Sequence, residues 1–349
     1  MAVDDQKILN WTINRIQTDY PNDVALLVGN GFQNEKNDRA EHYQGEIDYF
    51  ISDSPRADGL SQSFIIGGVC YDIYPRTWSS IESMAALNDC HTACMADAKV
   101  LYARSKADQE KFEQFRTRLF DNLKNKAYTQ KKAQERLKMA QEIYKNMLFE
   151  TRMCAMRASI GFIMDYLAQS VALLNGRYFK RNELYQLEEM ASFEKVPPHF
   201  AQMYDELICR DEPETLRKLC YKLIVETSLF LQEQIPAPQQ PHCVQSNYRA
   251  LANWYQEFGH LWRRIEDDCR KGDARRVYIR CCKLQHELDV INVELSLPAV
   301  GLLSSFDEKS LDKVCKRAEE IEKNIIDMVV KNSICIAMYP TVDAFLENN

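Results

Sequence analysis

Glu46 and Asp48 stand two positions apart in the run Gly45 to Ile51, and a third acid, Asp72, lies inside the apolar run Phe64 to Pro75. Side chains alternate across a strand, so Glu46 and Asp48 project from one face while Ile47 turns the other way into a core. Two carboxylates that close repel unless a cation lies between them. Magnesium, a hard ion that takes carboxylate and phosphate oxygens, meets that need. Asp72 would add a third ligand from a neighbouring strand. Two ions about 4 Å apart in such a set would activate an attacking hydroxyl and stabilise the charge on a leaving pyrophosphate. Upstream, the apolar run Val24 to Val28 enters Gly29-Asn30-Gly31. Gly29 and Gly31 permit a tight backbone with unshielded amides, as a triphosphate requires. Together these residues point to metal-assisted phosphoryl chemistry. Each piece also has a plainer reading: Asn-Gly is a common turn dipeptide, and alternating acids mark the solvent face of an edge strand. Asp72, set between Tyr71 and Ile73, needs a partner or a metal if it is buried.

A strand ending in glycine and a small polar residue, then a loop, then acid-apolar-acid on a second strand and a lone acid on a later one, resembles the DNA polymerase beta-type nucleotidyltransferases. The branch it most resembles is the bacterial small-molecule group that includes the aminoglycoside and lincosamide nucleotidyltransferases. The resemblance covers roughly residues 1 to 105; beyond them the chain is similar only in being helical. It implies that Gly29 and Asn30, with Gly31, take the place of the phosphate-binding pair. Glu46 and Asp48 would then be the paired Mg2+ ligands and Asp72 the third acid. Asn30 stands where the family has serine, Glu46 where it more often has aspartate, and the loop from Gly31 to Gly45 is long. The implied reaction transfers a nucleoside monophosphate, AMP from magnesium-bound ATP, to a hydroxyl of a small-molecule acceptor and releases pyrophosphate. Asp72 would also assist removal of the hydroxyl proton. Two other readings share these residues. One is a degenerate nucleotide-binding or protein-interaction module working through its helical region, and the other is transfer of AMP to a protein hydroxyl.

The elements that must position these acids are expected as a helix over 6–18, strands near 24–28, 45–51 and 64–74, a helix over 77–87 and a further strand at 99–103. The fold class is α+β: a small mixed-sheet head over 1–105, a helical bundle over 106–234 and a second helical bundle segment over 245–349. Phe112, Phe115, Leu119 and Leu123 recur at helical steps, with an interruption expected at Tyr128-Thr129. Met153, Met156, Ile160, Met164, Leu167, Val171 and Leu174 form an apolar seam that reads as bundle core. Asn175-Gly176 stops that helix. The following Arg177-Tyr178-Phe179-Lys180-Arg181 could bring Lys180 to the nucleotide, or could simply complement the helix dipole. Asp165, a lone acid in the seam, is either a general base or the partner of Arg157 or another cation, with pairing favoured. The proline-rich stretch 235–244 divides the helical region. Helices are expected over 247–271, 274–295 and 307–331, with Trp254, Phe258, Leu261 and Trp262 in their core. The stretch 333–339 should be a short strand or a buried tail.

Composition narrows the partners. The chain has 349 residues, 46% hydrophobic and 27% charged, which is ordinary globular usage and too long for one core. A formal net charge of −7 and a pI near 5.6 disfavour a nucleic-acid substrate, because nucleic-acid binders carry basic patches for the phosphates. An acidic cleft would suit a cationic acceptor such as an aminosugar. The opening residues lack the basic stretch of a signal peptide and no apolar run is long enough to cross a bilayer, so the cytoplasm is expected and no membrane partner. The 12 cysteines are scattered, and in a reducing compartment they should be mostly small core residues. Neither Cys90-His91-x-x-Cys94 nor Cys281-Cys282 with His286 has the spacing of a metal site.

Overall fold

A computed structural model of the chain describes residues 5–29, 47–181, 183–235, 245–339 and 341–347. It divides into two compact units, Met1–Pro236 and Ala237–Asn349.

The first unit opens with helix α1, Asp5–Asp19, which Pro21 prevents from continuing. Strand β1, Val24–Gly29, is buried at every position, as a central strand covered on both faces should be. It runs antiparallel to β2, Ile47–Ser52, and to β5, Lys99–Ala103. Strand β4, Val69–Thr77, lies parallel to β2, and β3, Gln62–Ile66, runs antiparallel to β4 at the edge. The sheet is therefore mixed, in the order β3-β4-β2-β1-β5. With the helices that follow, the class is α+β.

Two cores sandwich the sheet. On one face Leu27, Phe50, Leu60 and Ile73 pack with Leu9 and Ile16 of α1. On the other, Val28, Tyr49 and Ile51 continue without a break into the helical body. That face is covered by α2, Trp78–Ala85, α3, Ala93–Ala96, and α4, Lys106–Lys124. The Thr77 hydroxyl caps α2 by accepting from the Ser80 amide at 3.2 Å. Beyond lie α5, Lys126–Met147, α6, Met153–Leu174, α7, Gln186–Met190, α8, Phe200–Cys209, and α9, Pro213–Gln234. In the α6 seam every member expected in the core is buried except Met153, which is half-buried.

Three expectations change. The single strand at 64–74 is a hairpin, β3 and β4, because Gly67 and Gly68 both take positive φ, 58° and 87°. A two-residue turn with φ positive at both positions is the connection that suits strand twist, and glycine adopts it without a steric penalty. The interruption expected at Tyr128-Thr129 falls at Asn125 instead, whose side chain accepts from the Tyr128 amide at 3.1 Å and starts α5. The cysteines are not mostly core: Cys94, Cys220 and Cys281 are buried, but Cys70, Cys90, Cys154, Cys209 and Cys335 are exposed, and all the described ones are free.

The second unit holds α10, Gln245–Arg270, α11, Ala274–Glu294, α12, Leu311–Lys331, and the short α13, Val342–Glu347. Trp254, Leu261 and Trp262 are in its core, with Phe258 packed against them. Buried Glu322 accepts from Tyr255 at 2.7 Å and also pairs with Arg263. Residues 333–339 form no strand, and Ile336 anchors them to the core. No helix among the described residues is long and apolar enough to cross a membrane.

Candidate functional site

Asp48 owes its orientation to an irregularity in β2. Val28 lies opposite Tyr49 and Gly29 opposite Ile47, so Asp48 is the extra residue of a bulge. Tyr49 faces the helical body, and regular alternation would send Asp48 with Phe50 toward α1. The bulge keeps Asp48 on the Tyr49 side, while Ile47 packs toward α1. There the Tyr74 hydroxyl donates to Asp48 Oδ1 at 2.8 Å. Asp48 Oδ2 is buried and no well-formed hydrogen bond closes on it; the Cys94 thiol beside the carboxylate is a weak donor only. A buried carboxylate oxygen without a strong donor is costly unless a cation or ligand meets it.

Asp72 lies two residues before Tyr74 on β4, on the same face by alternation. It is exposed, and Ser63 from the facing position of β3 donates to its Oδ1 at 2.7 Å. Gly29 is buried at the end of β1, opposite Ile47 on one side and Lys99 on the other. Asn30, Gly31 and Glu46 lie outside the described residues. Among the described residues no three His, Cys, Asp or Glu side chains converge to hold a metal.

A polar cluster that the sequence did not single out surrounds Asp48. The Arg76 guanidinium lies 5.3 Å from the Tyr49 ring and 5.6 Å from the Tyr74 ring, close enough for cation–π attraction. Arg76 also meets Asp89 at 3.5 Å. Asp89 Oδ1 accepts from the His91 amide and contacts its Nδ1, both at 2.8 Å. That contact with the imidazole, helped by the amide and Arg76, holds the Asp89 carboxyl well below the usual range against the opposing effect of burial. The same contact raises His91 above its ordinary value. Burial, reinforced by the Asp48 charge, pushes the phenols of Tyr49 and Tyr74 and the thiol of Cys94 up. All three remain protonated donors at neutral pH. The sequence signal was the alternation Asp72-x-Tyr74-x-Arg76, which puts an acid, a phenol and a cation on one face.

The chain matches no protein family model and no curated protein. Among solved structures it is similar to a nucleotidyltransferase-like protein from Exiguobacterium sibiricum, at 11% identity and a TM-score of 0.36, over 66% of this chain and 75% of that one.

Among the described residues the helical candidates make no contact with Asp48 or Asp72, although Arg177, Tyr178 and Phe179 line one small cavity with Asp89. Lys180 is exposed beside a surface cleft lined also by Lys124, Arg177 and Glu189, and its amide donates to Glu189 at 2.9 Å. Among the described residues no contact joins it to either acid. Its neighbours have structural partners: Tyr178 donates to Asp97 at 2.9 Å, Arg177 lies 5.4 Å from the Phe193 ring, and Arg181 pairs with Glu188 at 2.8 Å. Asp165 is not paired with Arg157. It accepts from the amides of Gln169 at 2.7 Å and Gln186 at 2.6 Å, while Arg157 donates to the Arg210 carbonyl. With both oxygens held by donors it is poorly placed to act as a base.

Proposed function

We propose that this chain is a metal-dependent nucleotidyltransferase that moves a nucleoside monophosphate, AMP from ATP, to a hydroxyl of a small-molecule acceptor and releases pyrophosphate. The observation that carries this reading is Asp48 Oδ2, a buried carboxylate oxygen without a well-formed hydrogen bond, turned by a bulge to the face that also bears Asp72. That donor fits magnesium, which favours carboxylate oxygens. Asp48 would hold the ion with Asp72, and by sequence Glu46 completes the set. A bound magnesium would neutralise the triphosphate and the charge developing on the leaving group. The protein's own part is to bind and orient. Gly29 keeps the end of β1 free of side-chain bulk beside the phosphates. Asp72, exposed and held at one oxygen by Ser63, would bind the ion that activates the acceptor hydroxyl; its proton would leave to solvent, with Asp72 assisting, as the acceptor oxygen bonds to the α-phosphorus and the bond to the pyrophosphate oxygen breaks.

The test is pyrophosphate release from each of the four ribonucleoside triphosphates with magnesium, over aminoglycosides, lincosamides and simple polyols. Release that depends on one acceptor and disappears in Asp48→Asn is the expected result. Full turnover in that variant would remove Asp48 from the reaction. Nucleotide binding without release across the panel would favour a protein acceptor or a non-catalytic module.

A further inference from the structure

Resting on that metal-site reading, we infer that Tyr74 is the positioning residue that decides how Asp48 meets a cation. Its hydroxyl takes Oδ1 at 2.8 Å and leaves Oδ2 as the carboxylate oxygen without a well-formed hydrogen bond. The carboxylate therefore engages an ion through one oxygen in a fixed orientation. Without that hydroxyl the terminal torsion of an aspartate is broad, so either oxygen, or both, could face the ion.

The phenol itself is held in place. Its ring centroid lies 6.3 Å from that of Tyr49 at 42°. Arg76 spans both rings and is tethered through Asp89 to His91. Tyr49 is anchored separately, its hydroxyl donating to the Cys94 carbonyl at 3.0 Å. A hydrogen bond of this kind from outside the ligand shell orients a metal ligand and commonly contributes about 10–100-fold in metal affinity.

Tyr49 supplies the control. Tyr49→Phe removes a phenol hydroxyl in the same ring cluster whose partner is a backbone carbonyl and not Asp48. Mn2+ binding without nucleotide, followed by electron paramagnetic resonance, would be compared in wild type, Asp48→Asn, Tyr74→Phe and Tyr49→Phe. Thermal melts of each would confirm folding. The expected pattern is binding in wild type, none in Asp48→Asn, about 10–100-fold weaker binding in Tyr74→Phe and unchanged binding in Tyr49→Phe. Tyr74→Phe binding as tightly as wild type would overturn the inference while leaving the metal site standing. Equal weakening by Tyr49→Phe and Tyr74→Phe would also overturn it, by showing general loosening of the cluster. Absence of Mn2+ binding in wild type would sink the metal-site reading and this inference with it.

Discussion

Asp48→Asn should stabilise the metal-free protein. In the folded chain Asp48 keeps one oxygen on the Tyr74 hydroxyl and leaves the other buried without a well-formed hydrogen bond, while Arg76 beside it is engaged with Asp89. A buried group left without its hydrogen bond costs about 1–3 kcal/mol, with charged groups at the upper end. Asparagine keeps an oxygen to accept from Tyr74 and replaces the ionised one by a neutral amide, so the difference is about 1 kcal/mol in favour of the variant. For a folding unit of this size that is about 2–4 °C in melting temperature. The assay is calorimetry in EDTA on the full chain, following the transition of residues 1–236. Magnesium should reverse the order, because an ion that binds only the folded wild type adds about 2.7 kcal/mol at a hundred times its dissociation constant. A metal-free Asp48→Asn that is less stable than wild type by about 1 kcal/mol or more would refute the reasoning. It would mean that the Asp48 charge is already compensated within the fold.

Two further outcomes follow from other parts of the first unit. Gly176 closes α6 at φ 64°, and a Cβ there would lie 2.8 Å from the Leu123 carbonyl oxygen. Left-handed backbone costs about 1–2 kcal/mol for a residue with a Cβ, so Gly176→Ala should lose about 2 kcal/mol in urea unfolding; a loss under about 0.5 kcal/mol, as at a neutral surface site, would contradict it. The Asp89–His91 pair should show as pH dependence. His91 is raised in the folded state, so its contribution is complete below its unfolded value of about 6.5 and fades as pH rises through the raised folded value. Asp89 is lowered, so its share is present above about 3.9 and fades only as pH falls toward its depressed folded value. An NMR titration should find His91 above 6.5 in wild type and back near about 6.5 in Asp89→Asn, and an unchanged His91 in that variant would dismiss the pairing.

What could be read from the chain depended on the range of the interaction. The α6 seam was legible because its members recur at helical steps, and all but half-buried Met153 are buried. Strands β1, β2 and β5 were legible from short apolar runs, since a strand's period and length are local. The β3–β4 hairpin has its own local signal, Gly67-Gly68 set between two apolar runs, and reading Phe64 to Pro75 as one strand passes over it; both glycines take the positive φ that such a turn needs. Charge alone points Asp165 toward a cation. The packing of α7 against α6 instead brings Gln186, and the amide of Gln169 one turn away on α6 completes the pair.

The same division runs through the candidate site. The sequence by itself determined that an acid follows a glycine-ended strand, that another lies two residues before a tyrosine, and that a helical body follows a mixed-sheet head. These are matters of residue type and local period. Only the tertiary structure decided that Asp48 shares a face with Tyr74, because a bulge depends on the register between β1 and β2 and not on either strand alone. The same holds for the joining of Arg76, Asp89 and His91 to that face, where the loop after α2 folds back onto β4. Side-chain period fixes the direction of a residue along its own strand, but pairing between strands and burial beneath helices decide which oxygen of a carboxylate is left without a well-formed hydrogen bond.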